Sequence, residues 1–213
     1  MQFEGFDQSD FETFTIEGLD ARMEAIQERI RPKFQAIGDK LTGELSILAG
    51  NELFLHIAKH ARRTVNAPKD TWLAIAASKR GYKMLPHFQV GLFDDHVFIW
   101  LAFIYELPDK KEIAKNFLEE IDNVWKLIPS DFVISLDHMK KESESIESLG
   151  KEGLKKALER FRDVKKAEFL VGRHVHSNDP ILKDGDKFLS FVEDTFKALF
   201  PLYKLSYQQK VSK

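Results

Sequence analysis

Nine consecutive residues, Val97 to Tyr105, read Val-Phe-Ile-Trp-Leu-Ala-Phe-Ile-Tyr and contain no charged side chain. The run is too short to cross a hydrocarbon layer of about 30 Å as a helix. Its residues are β-branched, aromatic and aliphatic, and it is apolar on both faces. It therefore reads as a central strand covered on both sides. Such a strand needs paired neighbours, and two lie close by. Thr71 to Ala77 and Phe88 to Phe93 are short, rich in β-formers and bounded by turn residues. Asp94 and Asp95 separate the last two runs at hairpin distance, and Gly91 stands where a bulge is expected. The spacing leaves no room for crossover helices, so the strands should form an antiparallel meander. Asp131 to Leu136 and Ala167 to Val175 are further strand candidates.

Helical periodicity occupies the two ends of the chain. Leu19, Met23, Ile26, Ile30, Phe34, Ile37 and Leu41 recur every three or four residues and share one face. Pro32 should kink this helix or divide it, since it disfavours helical geometry at Arg31. A short helix should precede it, with Ser9 or Asp10 as N-cap. Pro108 and Asp109 open a helix presenting Ile113, Phe117, Ile121, Val124 and Ile128, which Pro129 closes. Lys140 to Gly153 reads as a polar loop before a helix through Leu154, Leu158 and Phe161. A final helix from about Asp186 carries Phe188, Phe191, Phe196 and Phe200. The expectation is one α+β domain over residues 1–213, with a mainly antiparallel sheet packed by N-terminal and C-terminal helices. The helical part covers about 9–50 and the sheet-containing part about 51–205.

Composition excludes several chemistries. The chain of 213 residues has no cysteine, which removes disulfides, thiolate-held metals and thiol catalysis. Its first ten residues are acidic and lack an apolar run, so no signal peptide is expected, and a cytoplasmic protein without a membrane partner is. The net charge of −2 hides a dipolar distribution. Residues 1–30 hold eight acids against Arg22 and Arg29, whereas residues 56–83 hold seven bases against Asp70 alone. The two segments could simply face each other, or the basic one could receive an anion.

Histidines supply the sharper reading. His56 and His60 lack the glutamate of a zinc-protease helix, Ile57 standing in its place. On a strand, His56, Ala58, His60 and Arg62 share a face. His87 and Gln89 share a face of the next strand, and His174 and His176 one of the last. If these faces align, the sheet gathers imidazoles, guanidinium and amide able to bind phosphate or carboxylate. The candidate ligand site is His56, His60, Arg62, Arg63, His87, Gln89 and His174, with Lys83 and Arg173 on its rim. A metal held by imidazoles with Asp179 nearby is a weaker reading, and purely structural histidines are an open alternative. The residues themselves name no cofactor, no reaction and no catalytic signature.

Two other classes of partner are open. The basic stretch Lys59 to Lys83, with Trp72 and Tyr82 for stacking, could serve as an RNA-binding module. The Phe-rich terminal helix could dock a protein, but only if its Phe face is exposed, and burial is expected.

Several long stretches resemble a known family. Phe14-Thr15-Ile16-Glu17-Gly18-Leu19-Asp20-Ala21-Arg22-Met23 and Arg31-Pro32-Lys33-Phe34 are similar to the start of the YktB-like bacterial proteins. His56-Ile57-Ala58-Lys59-His60-Ala61-Arg62-Arg63-Thr64-Val65-Asn66, Pro86-His87-Phe88-Gln89-Val90-Gly91-Leu92-Phe93 and Phe98-Ile99-Trp100-Leu101-Ala102 match its central pattern. The resemblance runs from Phe11 to Phe200 and departs at Ala67, where a second proline is expected. It implies an α+β fold in a cytosolic bacterial protein of uncharacterised function. It assigns no activity and no site residue.

Overall fold

A computed structural model describes residues 2–208. Among the described residues, seven strands form one sheet, entirely antiparallel, in the order β1-β2-β3-β4-β7-β5-β6. They are β1 (Phe54–Ile57), β2 (Thr71–Ala76), β3 (His87–Leu92), β4 (His96–Phe103), β5 (Val133–Ser135), β6 (Glu144–Ser145) and β7 (Phe169–His176). The helices are α1 (Gln8–Glu12), α2 (Leu19–Ala25), α3 (Arg31–Ala49), α4 (Lys110–Glu119), α5 (Ile121–Leu127), α6 (Ile146–Asp163) and α7 (Gly185–Ser206). The fold is α+β. No helix of the described residues is long and apolar enough to cross a membrane.

β4 holds the centre as its sequence demands, with every residue buried. Its two faces are covered differently. Val97, Ile99, Leu101 and Phe103 join Leu73, Ile75, Phe88, Val90, Phe169 and Val171 under the helices. Phe88 meets Phe196 of α7 at 4.9 Å between ring centroids, and Phe103 meets Phe117 of α4 at 5.5 Å. The opposite face carries Trp72, Ala74, Phe98, Trp100, Ala102, Ile104 and Leu170, which pack on one another and on loop residues such as Ala58 and Tyr82. One face is thus helix-covered and the other loop-covered.

Several local expectations are corrected. The N-cap of α1 is Asp7, whose carboxylate accepts from Ser9 N at 2.8 Å while Asp10 accepts from Asp7 N at 2.8 Å. Pro32 stands in the first turn of α3, at the junction between successive helical segments. A π-helical turn at Ile26–Ile30 joins α2 to α3, and Arg31 stays helical at φ −59° and ψ −40°. The wider turn re-spaces the carbonyls that a proline ring would otherwise meet. The helix opened by Pro108 and Asp109 is two helices, since Glu120 leaves helical geometry at φ −102° and ψ 25°. The supposed polar loop before Leu154 already contains β6 and the start of α6, whose N-cap Ser145 accepts from Ser148 N.

Gly91 marks no bulge, because it pairs in register with Trp72 of β2 and with Phe98 of β4. A Cβ at Gly91 would overlap the Phe98 ring, so the glycine makes room for an aromatic side chain. The Phe-rich face of α7 lies inside: Phe188 and Phe196 are fully buried and Phe200 nearly so. The docking face needed by a protein adaptor is therefore within the core.

Candidate functional site

The loop-covered face gathers most of the polar aromatic chemistry. β1 ends at Ile57, so His60 and Arg62 do not continue the strand face of His56. The chain instead turns at His60, the one non-glycine residue with positive φ (51°) among the described residues. Arg63 N donates to His60 O at 3.0 Å to close that turn. A side chain in this left-handed region carries strain of order 1 kcal/mol, a cost often found at functional positions. The His60 ring stands 5.5 Å from Trp72 at 88°, and its Nε2 lies 3.1 Å from the Thr71 hydroxyl.

A second histidine arrives from far along the chain. β5 and β2 are separated by three strands. The loop after β5 nevertheless brings His138 edge-on to the same Trp72, at 6.0 Å and 82°. Its backbone is tied down by a donation from His138 N to Glu168 Oε2 at 2.8 Å. Its Nδ1 donates to the same carboxylate at 2.7 Å, and Glu168 Oε1 also accepts from Tyr105 N at 3.3 Å. Glu168 is 3% exposed, so the carboxylate acts where water screens little.

His60 and His138 line a cavity of about 330 Å³ with Lys59, Arg62, Arg63, Trp72, Tyr82 and Lys83. The pair is electrostatically unlike. Burial, reinforced by Arg63 and Arg31, pushes His60 down to about 4. Burial also opposes charge on His138, but the hydrogen bond and charge of Glu168, with Asp70 and Asp137 behind, outweigh it and raise its pKa. Asp70 is completely buried, and neither carboxylate oxygen has a hydrogen-bond partner. Burial raises it to about 6 against the attraction of His138 and Arg63. Trp72 Nε1 donates to Tyr82 Oη at 2.9 Å, and burial pushes the Tyr82 phenol up to about 12.

The structure divides the nine candidate residues of the sequence. His60, Arg62, Arg63 and Lys83 reach the cavity. Among the described residues Arg62 has no hydrogen-bond or ion-pair partner, Arg63 donates only to Asn66 O, and Lys83 pairs with Glu106 at 3.1 Å. His56 and His87 share the face but sit against Tyr82, at 5.6 and 4.9 Å between rings. His56 Nε2 donates to Ser78 O at 2.7 Å. His87 Nδ1 donates to Leu85 O at 2.7 Å, and its Nε2 then accepts from Gln89 at 2.8 Å. That pairing satisfies a fully buried neutral ring, and burial pushes His87 down to about 4.

His174 and Arg173 lie elsewhere. β1 and β7 are four steps apart, on the order of 19 Å along the sheet at its usual strand spacing. His174 instead packs against His96 at 4.2 Å, tilted by 34°, and meets Trp100 at 4.8 Å. Arg173 pairs in register with Ile99 on the helix-covered face. Its guanidinium lies over Phe132 and Phe191 and bonds Asp131 at 2.7 Å, so it cannot serve as a rim. Asp179 caps a short turn by accepting from Ile181 N, and His176 pairs with Asn178.

His138, Glu168 and Asp70 stand outside the nine candidate residues of the sequence. A lone acid amid seven bases was the available signal for Asp70, and a histidine just past a strand end the signal for His138. Asp137, His138 and Glu168 each bring one donor atom within 4.8 Å of the others. With His138 Nδ1 committed to Glu168, the group is a hydrogen-bonded pair beside an acid rather than an open ligand set. Stacking by nucleic-acid bases meets an obstacle too: Trp72 is 8% exposed, with its ring edged by His60 and His138.

Comparison with known proteins places the chain. A family model described as a domain of unknown function, DUF1054, matches residues 6–203. A UPF0637 protein of Oceanobacillus iheyensis is 61% identical over 202 residues, covering 95% of this chain and 96% of the relative. UPF0637 proteins of Shouchella clausii and Listeria monocytogenes are 58% and 51% identical, each covering 96% or more of both chains. The resemblance to uncharacterised bacterial proteins seen in the sequence is thus supported over nearly the whole chain, and the chain belongs to the DUF1054 family of unknown function.

Proposed function

We propose that the cavity bounded by His60, Arg62, Arg63, Lys83 and His138 binds a small anionic, phosphorylated ligand. The observation that carries this reading is convergence of unneutralised positive charge on one concave space. Two guanidinium groups without a carboxylate partner line the same cavity of about 330 Å³, beside an imidazole whose pKa the buried Glu168 raises. Guanidinium forks match the oxygens of a phosphate, and a cavity of this size suits a sugar- or nucleoside-sized ligand. Trp72 and Tyr82 offer edges and a phenol to the uncharged part. RNA is the weaker reading, since Trp72 is almost wholly buried and offers little surface for a base to stack on.

Native mass spectrometry of the purified protein, with thermal-shift titration against inorganic phosphate and nucleoside monophosphates, tests this. Stabilisation that rises with ligand concentration, and weakens at least about tenfold in apparent affinity in Arg62→Ala with Arg63→Ala, is expected. Indifference of the wild-type midpoint to every phosphate compound at millimolar concentration would overturn it.

A further inference from the structure

His60 and His138 each lie nearly perpendicular to the same Trp72 ring, so the distance between their ring centroids cannot exceed the sum of 5.5 and 6.0 Å. Each has one nitrogen committed and one spare. His60 Nε2 is held by Thr71, and His138 Nδ1 by Glu168. Among the described residues, His60 Nδ1 and His138 Nε2 have no hydrogen-bond partner, and neither is a sealed, unpaired atom. Both rings line the cavity with the guanidinium groups. Resting on the anion-binding reading above, we infer that the cavity hydrolyses a phosphodiester, with His60 as general base and His138 as general acid.

The step balances with water alone. Water attacks phosphorus and passes a proton to His60 Nδ1 as the new P–O bond forms. The bond to the leaving alcohol breaks, and the departing oxygen takes the proton of His138 Nε2. A phosphate monoester and an alcohol leave, and solvent returns both histidines to their starting protonation. Arg62 and Arg63 balance the charge on the non-bridging oxygens. A diester is favoured over a monoester, because a loose, metaphosphate-like monoester transition state gains little from a base on the nucleophile.

The environments suit those roles. His60 faces Arg63 and Arg31, which keep it unprotonated at neutral pH. A bound phosphate offsets those charges and restores basicity when the substrate arrives. His138 faces Glu168, Asp70 and Asp137, which raise its pKa against the opposing effect of burial. Two histidines with pKa values driven apart are the pattern expected of an acid–base pair. Glu168 is a positioning residue, fixing the tautomer that puts the proton of His138 on Nε2.

Initial rates on bis(4-nitrophenyl) phosphate and on a 2′,3′-cyclic nucleoside phosphate, from pH 4 to 9 with and without EDTA, test the inference. Hydrolysis unaffected by EDTA, with a bell-shaped pH profile, is expected. His60→Ala and His138→Ala should each lower kcat about 100-fold or more, the former erasing the acid limb. Glu168→Gln should move the alkaline limb to lower pH with KM little changed, a readout that loss of folding does not mimic. Activity abolished by EDTA and restored by a divalent cation would overturn the two-histidine mechanism. Phosphate binding without hydrolysis of either diester would overturn this inference and leave the binding reading standing. Absence of both would overturn the two together.

Discussion

Asp70 offers the most direct test of how the site is built, because its burial costs stability in a predictable pH window. The carboxyl group is completely buried without a hydrogen-bond partner, and its pKa rises from 3.8 to about 6. Between those values the folded state holds a proton that the unfolded state has released. Stability from this group is therefore greatest below the unfolded pKa and falls as pH rises through the folded one. The full difference is about 3 kcal/mol at 1.36 kcal/mol per unit, and roughly half of it develops between pH 5 and 8. Asp70→Asn removes the titration and leaves a neutral group of the same shape.

Urea unfolding of both proteins at pH 5, 6, 7 and 8 measures the effect. The fixed cost of the amide cancels when the variant is compared with wild type across pH. Asp70→Asn should gain about 1.4 kcal/mol on wild type between pH 5 and pH 8. The same substitution should lower the pKa of His138, because the Asp70 charge helps hold its proton. A difference between variant and wild type that stays flat with pH would refute the reasoning, and with it the claim that this carboxylate is buried unpaired.

Two further expectations concern the frame around the site. The Lys110 ammonium donates to the carbonyls of Val164, Lys165 and Ala167 at 2.8, 3.1 and 2.7 Å, closing the turn between α6 and β7. Lys110→Met keeps the stem and removes all three bonds, leaving Val164 O its bond from Ala167 N, and should cost about 2–4 kcal/mol in urea unfolding. Gly172 sits in β7 where a Cβ would overlap the Ile99 carbonyl oxygen. Backbone cannot retreat there without breaking the ladder to β4, so Gly172→Ala should destabilise by about 3 kcal/mol with an unchanged urea slope.

The tests bear on a site whose visibility from sequence was uneven. The basic loop was legible, and His60, Arg62, Arg63 and Lys83 do share a cavity. Alternation placed His87 beside Gln89 but left open whether His56 shares their face; the register puts them on one face, where both histidines pack on Tyr82. Alternation specifies a face and says nothing of what a loop lays over it. Arg173 shows the same rule from the other side, since its strand neighbours already assigned it to the face opposite His174.

What the sequence by itself determined is the set of local and periodic properties: β4 as a doubly buried strand, an antiparallel meander around it, and a helix whose inner face runs through Ile26, Ile30, Phe34, Ile37 and Leu41. These follow from side-chain period and turn chemistry, which act over a few residues. Tertiary structure alone decided that β7 inserts between β4 and β5, and that the loop after β5 reaches Trp72. The partnership of His138 with Glu168 spans 30 residues and depends on that route. No local preference encodes such a crossing. It is set by where the whole chain can bury its apolar faces together, and the candidate site exists because that packing brings the loops to one place.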